Sequence, residues 1–163
     1  MSIQIGDQAP DFSLVSQTAD GPQVIALSDL TADSHVLLLF VPMAFTGGCT
    51  AEFCSITKSL DAYTALDAKV VGISGDNPFA QEAWAKKEGI GLTLLSDYEH
   101  EVSEAYGVAY ESFIPEANLI MGGVSKRSAF VVDKGGVVRY AEVLDNPHDM
   151  PDFDAIQACL KAL

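Results

Sequence analysis

The feature that most constrains the fold is the uninterrupted apolar run from Val36 to Val41, which stops at Pro42. A short run rich in branched side chains, closed by a residue without an N–H, reads as a central strand buried on both faces. The next residues are Met43-Ala44-Phe45-Thr46-Gly47-Gly48-Cys49-Thr50-Ala51-Glu52-Phe53-Cys54, a loop leading into a helical pattern. A strand, a Gly-Gly loop and a cysteine in the first turn of a helix form an arrangement that activates a thiol.

Other segments follow in alternation. Ile3–Gly6 and Phe12–Val15 read as a small hairpin or edge strands, and Gln23–Leu27 as a third short strand before a helical turn at Ser28–Leu30. Lys69–Ser74 and Leu92–Leu95 are further buried strands. Asn77-Pro78 opens a helix ending at Gly89, with Asn77 as its cap and Pro78 at its first position. Glu99–Tyr106 is a short helix stopped by Gly107, and residues 108–126 are irregular. Ser128–Val132 and Val137–Val143 flank Asp133-Lys134-Gly135-Gly136 as a hairpin, and Asp152 or Asp154 caps a last helix. Strands alternating with helices predict an α/β fold with a central mixed sheet flanked by helices, in one domain over residues 1–163.

Cys49 to Leu66 is expected to be one helix. At about 100° per residue, Cys49, Ile56, Leu60 and Tyr63 all fall within roughly 80° of Phe53, so Cys49 lies on the buried stripe. The unpaired N–H groups of a first turn favour an anion there, while burial opposes it, so a cation is required nearby. The chain has two arginines, Arg127 and Arg139, and either could bring the charge back from the closing hairpin. The Thr46 hydroxyl can donate and accept toward a small polar substrate, or serve only the loop backbone. Cys54 sits about 140° around the helix from Cys49, at a Cα separation of roughly 8–9 Å, beyond disulfide reach unless the first turn unwinds. Cys159 flanks the apolar stripe of the last helix, where packing is the simpler role.

Composition excludes several functions. Asp and Glu outnumber Lys and Arg 23 to 9, for a net charge of -14, which argues against nucleic acid and anionic membranes as partners. The longest apolar run is about half of a membrane span, and no basic-then-apolar leader opens the chain. Three cysteines without a leader point to a reducing compartment, with the cytoplasm as the expected location. The histidines His35, His100 and His148 are scattered and none lies near Cys49 and Cys54 in sequence to complete a ligand set, so neither a metal site nor a cofactor is expected.

Pro42-x-x-x-Thr46-x-x-Cys49 resembles the peroxiredoxin signature. Gly6–Phe12 is similar to that family's opening segment, and Arg127–Asp133 with Gly136 to the segment delivering its arginine. Trp84 falls in a helix where many members carry a tryptophan. The resemblance implies a thioredoxin-like fold and reduction of hydrogen peroxide or organic hydroperoxides. Cys49 would attack the O–O bond, Thr46 and Gly48 would line the peroxide site, Arg127 would stabilise negative charge, Pro42 would shield the site, and Glu52 would orient Arg127. The Cys-x4-Cys spacing resembles the bacterioferritin-comigratory type, in which the second cysteine, here Cys54, resolves the sulfenic acid in the same chain. The one-cysteine alkyl hydroperoxide reductase type instead uses an external thiol. Thioredoxin, glutaredoxin or a similar thiol reductant is the implied partner, and a homodimer the implied assembly. A non-enzymatic peroxide sensor or redox chaperone is the competing class, and it would react once without turning over.

Overall fold

A computed structural model describes residues 1–163. In chain order the elements are β1 (Ser13–Thr18), β2 (Gly21–Ala26), α1 (Leu27–Thr31), β3 (His35–Phe40), α2 (Gly47–Lys58), α3 (Leu60–Ala65) and β4 (Ala68–Ser74). They continue with α4 (Pro78–Glu88), β5 (Thr93–Ser96), α5 (Glu101–Ala105), a 3-10 turn at Pro115–Ala117, β6 (Ser128–Val132), β7 (Val138–Val143) and α6 (Phe153–Lys161). No helix is long and apolar enough to cross a membrane.

The strands form one seven-stranded sheet in the order β2-β1-β5-β4-β3-β6-β7. β3, β4 and β5 run parallel, while β6 pairs antiparallel with β3, and β1 with β5, so the sheet is mixed as expected. The continuous apolar run of β3 is explained by the pleat. Leu37, Leu39 and Val41 enter one core with Phe53, Trp84 and Ile156, and Val36, Leu38 and Phe40 enter the other with Leu27, Val102 and Tyr106. All six side chains of the run are wholly buried. Each contributes on the order of 1.5–3 kcal/mol by leaving water, which fixes β3 at the centre.

Several elements depart from the sequence reading. Ile3–Gly6 is not a strand, and the hairpin partner of β1 is β2, through the full register Ser13↔Ala26 to Thr18↔Gly21. The long helix over residues 49–66 is two, broken at Ser59. Thr57 Oγ1 donates back to the Phe53 carbonyl at 2.7 Å, and the Ser59 N–H turns to the Ile56 carbonyl at 2.9 Å, which tightens and ends the helix. By contrast, α4 begins and ends as its residues specify. Asn77 Oδ1 accepts from the Ala80 N–H at 2.9 Å, Pro78 follows, and Gly89 closes the helix at φ 70°. Asp152, rather than Asp154, caps α6 by accepting from the Ala155 N–H at 3.0 Å.

Because β3, β4 and β5 are parallel, the loops at their C-terminal ends meet at one edge of the domain. In open α/β sheets this is where a crevice and its chemistry gather. The loop after β3 carries Pro42 to Thr46 there, and α2 starts from it.

Candidate active site

Two side chains pin the loop that leads to Cys49. The Ser125 hydroxyl donates to the Val41 carbonyl at 2.8 Å. The Asp76 carboxylate, at the end of β4, accepts from the Ala44 N–H and from the Ser74 hydroxyl, each at 2.7 Å. Pro42 is buried between these ties. Phe45 then turns through φ 65°, a left-handed conformation that costs a non-glycine residue about 1 kcal/mol or more. Its half-exposed ring lies 6.5 Å from that of Trp84, with Lys87 Nζ 5.9 Å from its centroid.

Thr46 is the residue before α2, but its side chain does not cap the helix. Its hydroxyl donates to the Met43 carbonyl at 2.9 Å, leaving the oxygen's lone pairs free to accept. Gly47 and Gly48 form the opening of the helix and Cys49 follows, 2 % exposed. The sulfur faces a cation, and that cation is Arg127 rather than Arg139. Arg127 Nη2 lies 3.7 Å from Cys49 Sγ, whereas Arg139 pairs with Asp133 beside the β6–β7 turn. Gly48 is required for this approach, since a Cβ there would stand 2.9 Å from Arg127 Nη2.

Arg127 sits just before β6 and is itself buried. Its Nη1 donates to Glu52 Oε2, and its Nη2 also donates to the Pro147 carbonyl at 3.2 Å. Burial pulls the guanidinium pKa down, but Glu52 and Cys49 outweigh it and hold the group above its ordinary value. The Glu52 side chain is fully enclosed, and burial pushes its carboxyl up to about 7 against the pull of Arg127. A guanidinium placed between a thiol, a carboxyl and a carbonyl has little freedom to swing away. That arrangement is what a stabilised thiolate needs.

Trp84 of α4 lies wholly buried beside the cysteine helix. Its ring sits 5.4 Å from that of Phe53, and its Nε1–H donates to Thr50 Oγ1 at 3.0 Å. Cys54 is half-buried on the same unbroken α2, with its thiol donating to the Glu88 carbonyl at 3.5 Å. Cys49, Cys54 and Cys159 are all free thiols. Cys159 lies on α6, with its sulfur 3.5 Å from the Arg139 carbonyl, and burial pushes its thiol up. The structure therefore gathers Cys49, Gly48 and Glu52 around Arg127, places Pro42 and Thr46 in the loop that delivers them, and sets Trp84 behind the helix. Cys54 faces α4 instead.

Sequence reasoning missed Asp76, Ser125 and Pro147. Asp76 had a positional signal, since Ser74-Gly75-Asp76 ends a buried parallel strand, where sites gather. Pro147 acts through its carbonyl, which every residue possesses, so nothing in its identity marks the role.

The profile of the AhpC/TSA family matches residues 5–141. Alkyl hydroperoxide reductase E of Mycobacterium tuberculosis is 34% identical over 143 residues, covering 86% of each chain. Peroxiredoxin Bcp of Escherichia coli is 37% identical over 139 residues, covering 85% of this chain and 84% of the relative. The crystal structure of the peroxidoxin BcpB from Mycobacterium tuberculosis superposes with a TM-score of 0.83 at 30% identity, covering 99% of this chain and 98% of that one. The same architecture in proteins of that kind, with matching sequence along most of the chain, makes this protein a member of the AhpC/TSA family: it is a peroxiredoxin, a thiol-dependent peroxidase of the thioredoxin-like fold.

Proposed function

We propose that Cys49 is the peroxidatic residue and that the chain reduces hydrogen peroxide and organic hydroperoxides. The observation that carries this reading is the contact of Arg127 Nη2 with Cys49 Sγ at 3.7 Å, in a buried first turn where Glu52 and Pro147 brace the guanidinium. The Cys49 thiolate attacks one peroxide oxygen in line with the O–O bond. An S–O bond forms as the O–O bond breaks, leaving a sulfenic acid and releasing water or an alcohol. Arg127 stabilises the charge that moves from sulfur to the leaving oxygen. Thr46, with its own proton committed to Met43, accepts a hydrogen bond from the hydroperoxide O–H and so orients it. Gly48 leaves the space that substrate and guanidinium share, and buried Pro42 keeps bulk water from the sulfur.

Cys54 then resolves the sulfenic acid as an intramolecular disulfide, which a thioredoxin, glutaredoxin or similar thiol reductant reopens. The five-residue spacing supports this, but the intact α2 opposes it, so the first turn must open in each cycle. Direct reduction of the sulfenic acid by an external thiol is the second reading, favoured by the placement of Cys54 against Glu88. Working in the cytoplasm as a homodimer belongs to the same proposal. Peroxide consumption coupled to a thiol reductant tests it. Cys49→Ser should abolish turnover and Cys159→Ser should leave it nearly intact; equal losses in the two would overturn the assignment.

A further inference from the structure

One exposed apolar side chain stands beside the reacting atoms and belongs to neither core of the domain. Met150 lies in the loop from β7 to α6, 41 % exposed. The point where a Cβ of Gly48 would stand is 2.9 Å from Arg127 Nη2 and 3.8 Å from Met150 Cε. Guanidinium and thioether therefore flank the same opening over the start of α2.

The loop keeps its shape without this side chain. Asn146 Oδ1 accepts from the His148 N–H at 3.0 Å, and the Asn146 carbonyl from the Asp149 N–H at 3.1 Å. The Pro147 carbonyl accepts from Arg127 Nη2 at 3.2 Å, and Glu142 Oε2 from the Asp152 N–H at 3.0 Å. These ties lie on both sides of Met150 and fix where it is presented, while its own surface stays open to solvent.

The polarity of the reaction says which part of a substrate reaches it. The thiolate attacks the oxygen that carries hydrogen, which Thr46 orients, and the oxygen bearing the organic group leaves. The S–O bond forms as the O–O bond breaks, and the hydrogen stays on the sulfenic oxygen. The alkoxide takes a proton from solvent, matching the one the Cys49 thiol released, and departs as an alcohol. Its developing charge belongs beside Arg127, so the group attached to it projects past Nη2 toward Met150. Arg127 has little left for the second hydroxyl of hydrogen peroxide, since Nη1 is given to Glu52 and Nη2 is shared by Cys49 and Pro147. A thioether is only a weak acceptor for that hydroxyl, but it is unbranched, polarisable and able to fit apolar groups of different shape.

We propose that Met150 is a specificity-determining residue of this site, receiving the organic group of an alkyl or aryl hydroperoxide. The proposal rests on Cys49 being the residue that peroxide oxidises.

The test mixes reduced wild type, Met150→Ala, Met150→Gln and Met150→Leu with cumene hydroperoxide or hydrogen peroxide and follows loss of the reduced protein by quenched-flow intact mass. The quantity read is the ratio of the two second-order rate constants, cumene hydroperoxide over hydrogen peroxide. Met150→Ala and Met150→Gln should each lower it about ten-fold, the order expected when a small apolar contact with substrate is lost. Met150→Leu, which conserves volume and apolarity, should keep it near the wild-type value. A loop that collapsed, or an arginine that lost its brace, would slow both peroxides alike. An unchanged ratio in Met150→Ala or Met150→Gln therefore overturns the role of Met150 alone. A trapped sulfenic acid on a cysteine other than Cys49 in the wild type overturns the reading of the site, and the role of Met150 with it.

Discussion

At the scale of single residues, the site depends on what is missing as much as on what is present. Gly48 carries no side chain, and Arg127 Nη2 occupies the space a Cβ would enter, at 2.9 Å. Gly48→Ala should therefore lower kcat/KM for peroxide by about 100-fold, the order seen when a positioned donor is lost. Glu52 makes a second prediction. Its carboxyl is raised from 4.5 to about 7, chiefly by burial. The folded state holds that proton more tightly than the unfolded chain, so the group favours folding below pH 4.5 and loses this contribution as pH rises through about 7. Urea unfolding of wild type and Glu52→Gln across this window should show wild-type stability falling relative to the variant as pH increases, with a flat difference above it. Cys49 and Thr46 were legible in the sequence from their place between a buried strand and a helix, whereas the residues alone left Arg127 level with Arg139 and only the family resemblance singled it out. Asp76 and Pro147 were not, because a backbone N–H and a carbonyl are what they serve and provide.

At the scale of elements, legibility followed local chemistry. The limits of α4 were written in Asn77, Pro78 and Gly89, and those of the closing hairpin in the Asp133–Gly136 turn, whose Asp133 Oδ1 accepts from the Gly135 and Val137 N–H groups. The apolar period that predicted one helix from Cys49 to Leu66 continues across the Ser59 break, because α2 and α3 both face the same core. Periodicity reports the buried face and is blind to a turn that preserves it. The strand expected at Ile3–Gly6 failed for the opposite reason. Its alternation is real, but Gln4 and Asp7 close a local turn through the Gln4 N–H to Asp7 Oδ2 bond at 2.8 Å. The division of labour along α2 was partly visible as well. Helical geometry alone separates Cys49 from Cys54, while the anchoring of Phe53 over Gly72 depends on strand β4 and could not be read from α2.

For the whole molecule, the α/β class and the mixed sheet followed from the order of strands and helices, and the buried run of β3 fixed the centre. The neighbours of each strand did not follow. That β1 pairs with β5, and β6 with β3, is decided by long-range packing, and the β6–β3 pairing carries Arg127 across 78 positions of sequence to Cys49. The central claim is that this meeting makes Cys49 the residue that peroxide oxidises. Its most direct test is to treat the Cys54→Ser protein with one equivalent of hydrogen peroxide in the presence of a sulfenic-acid trap. Cleavage after Glu52 then places Cys49 and position 54 on separate peptides for mass mapping. The account predicts the trapped adduct on Cys49, with Cys159 left as a free thiol. An adduct on Cys159, with Cys49 unmodified, would contradict it.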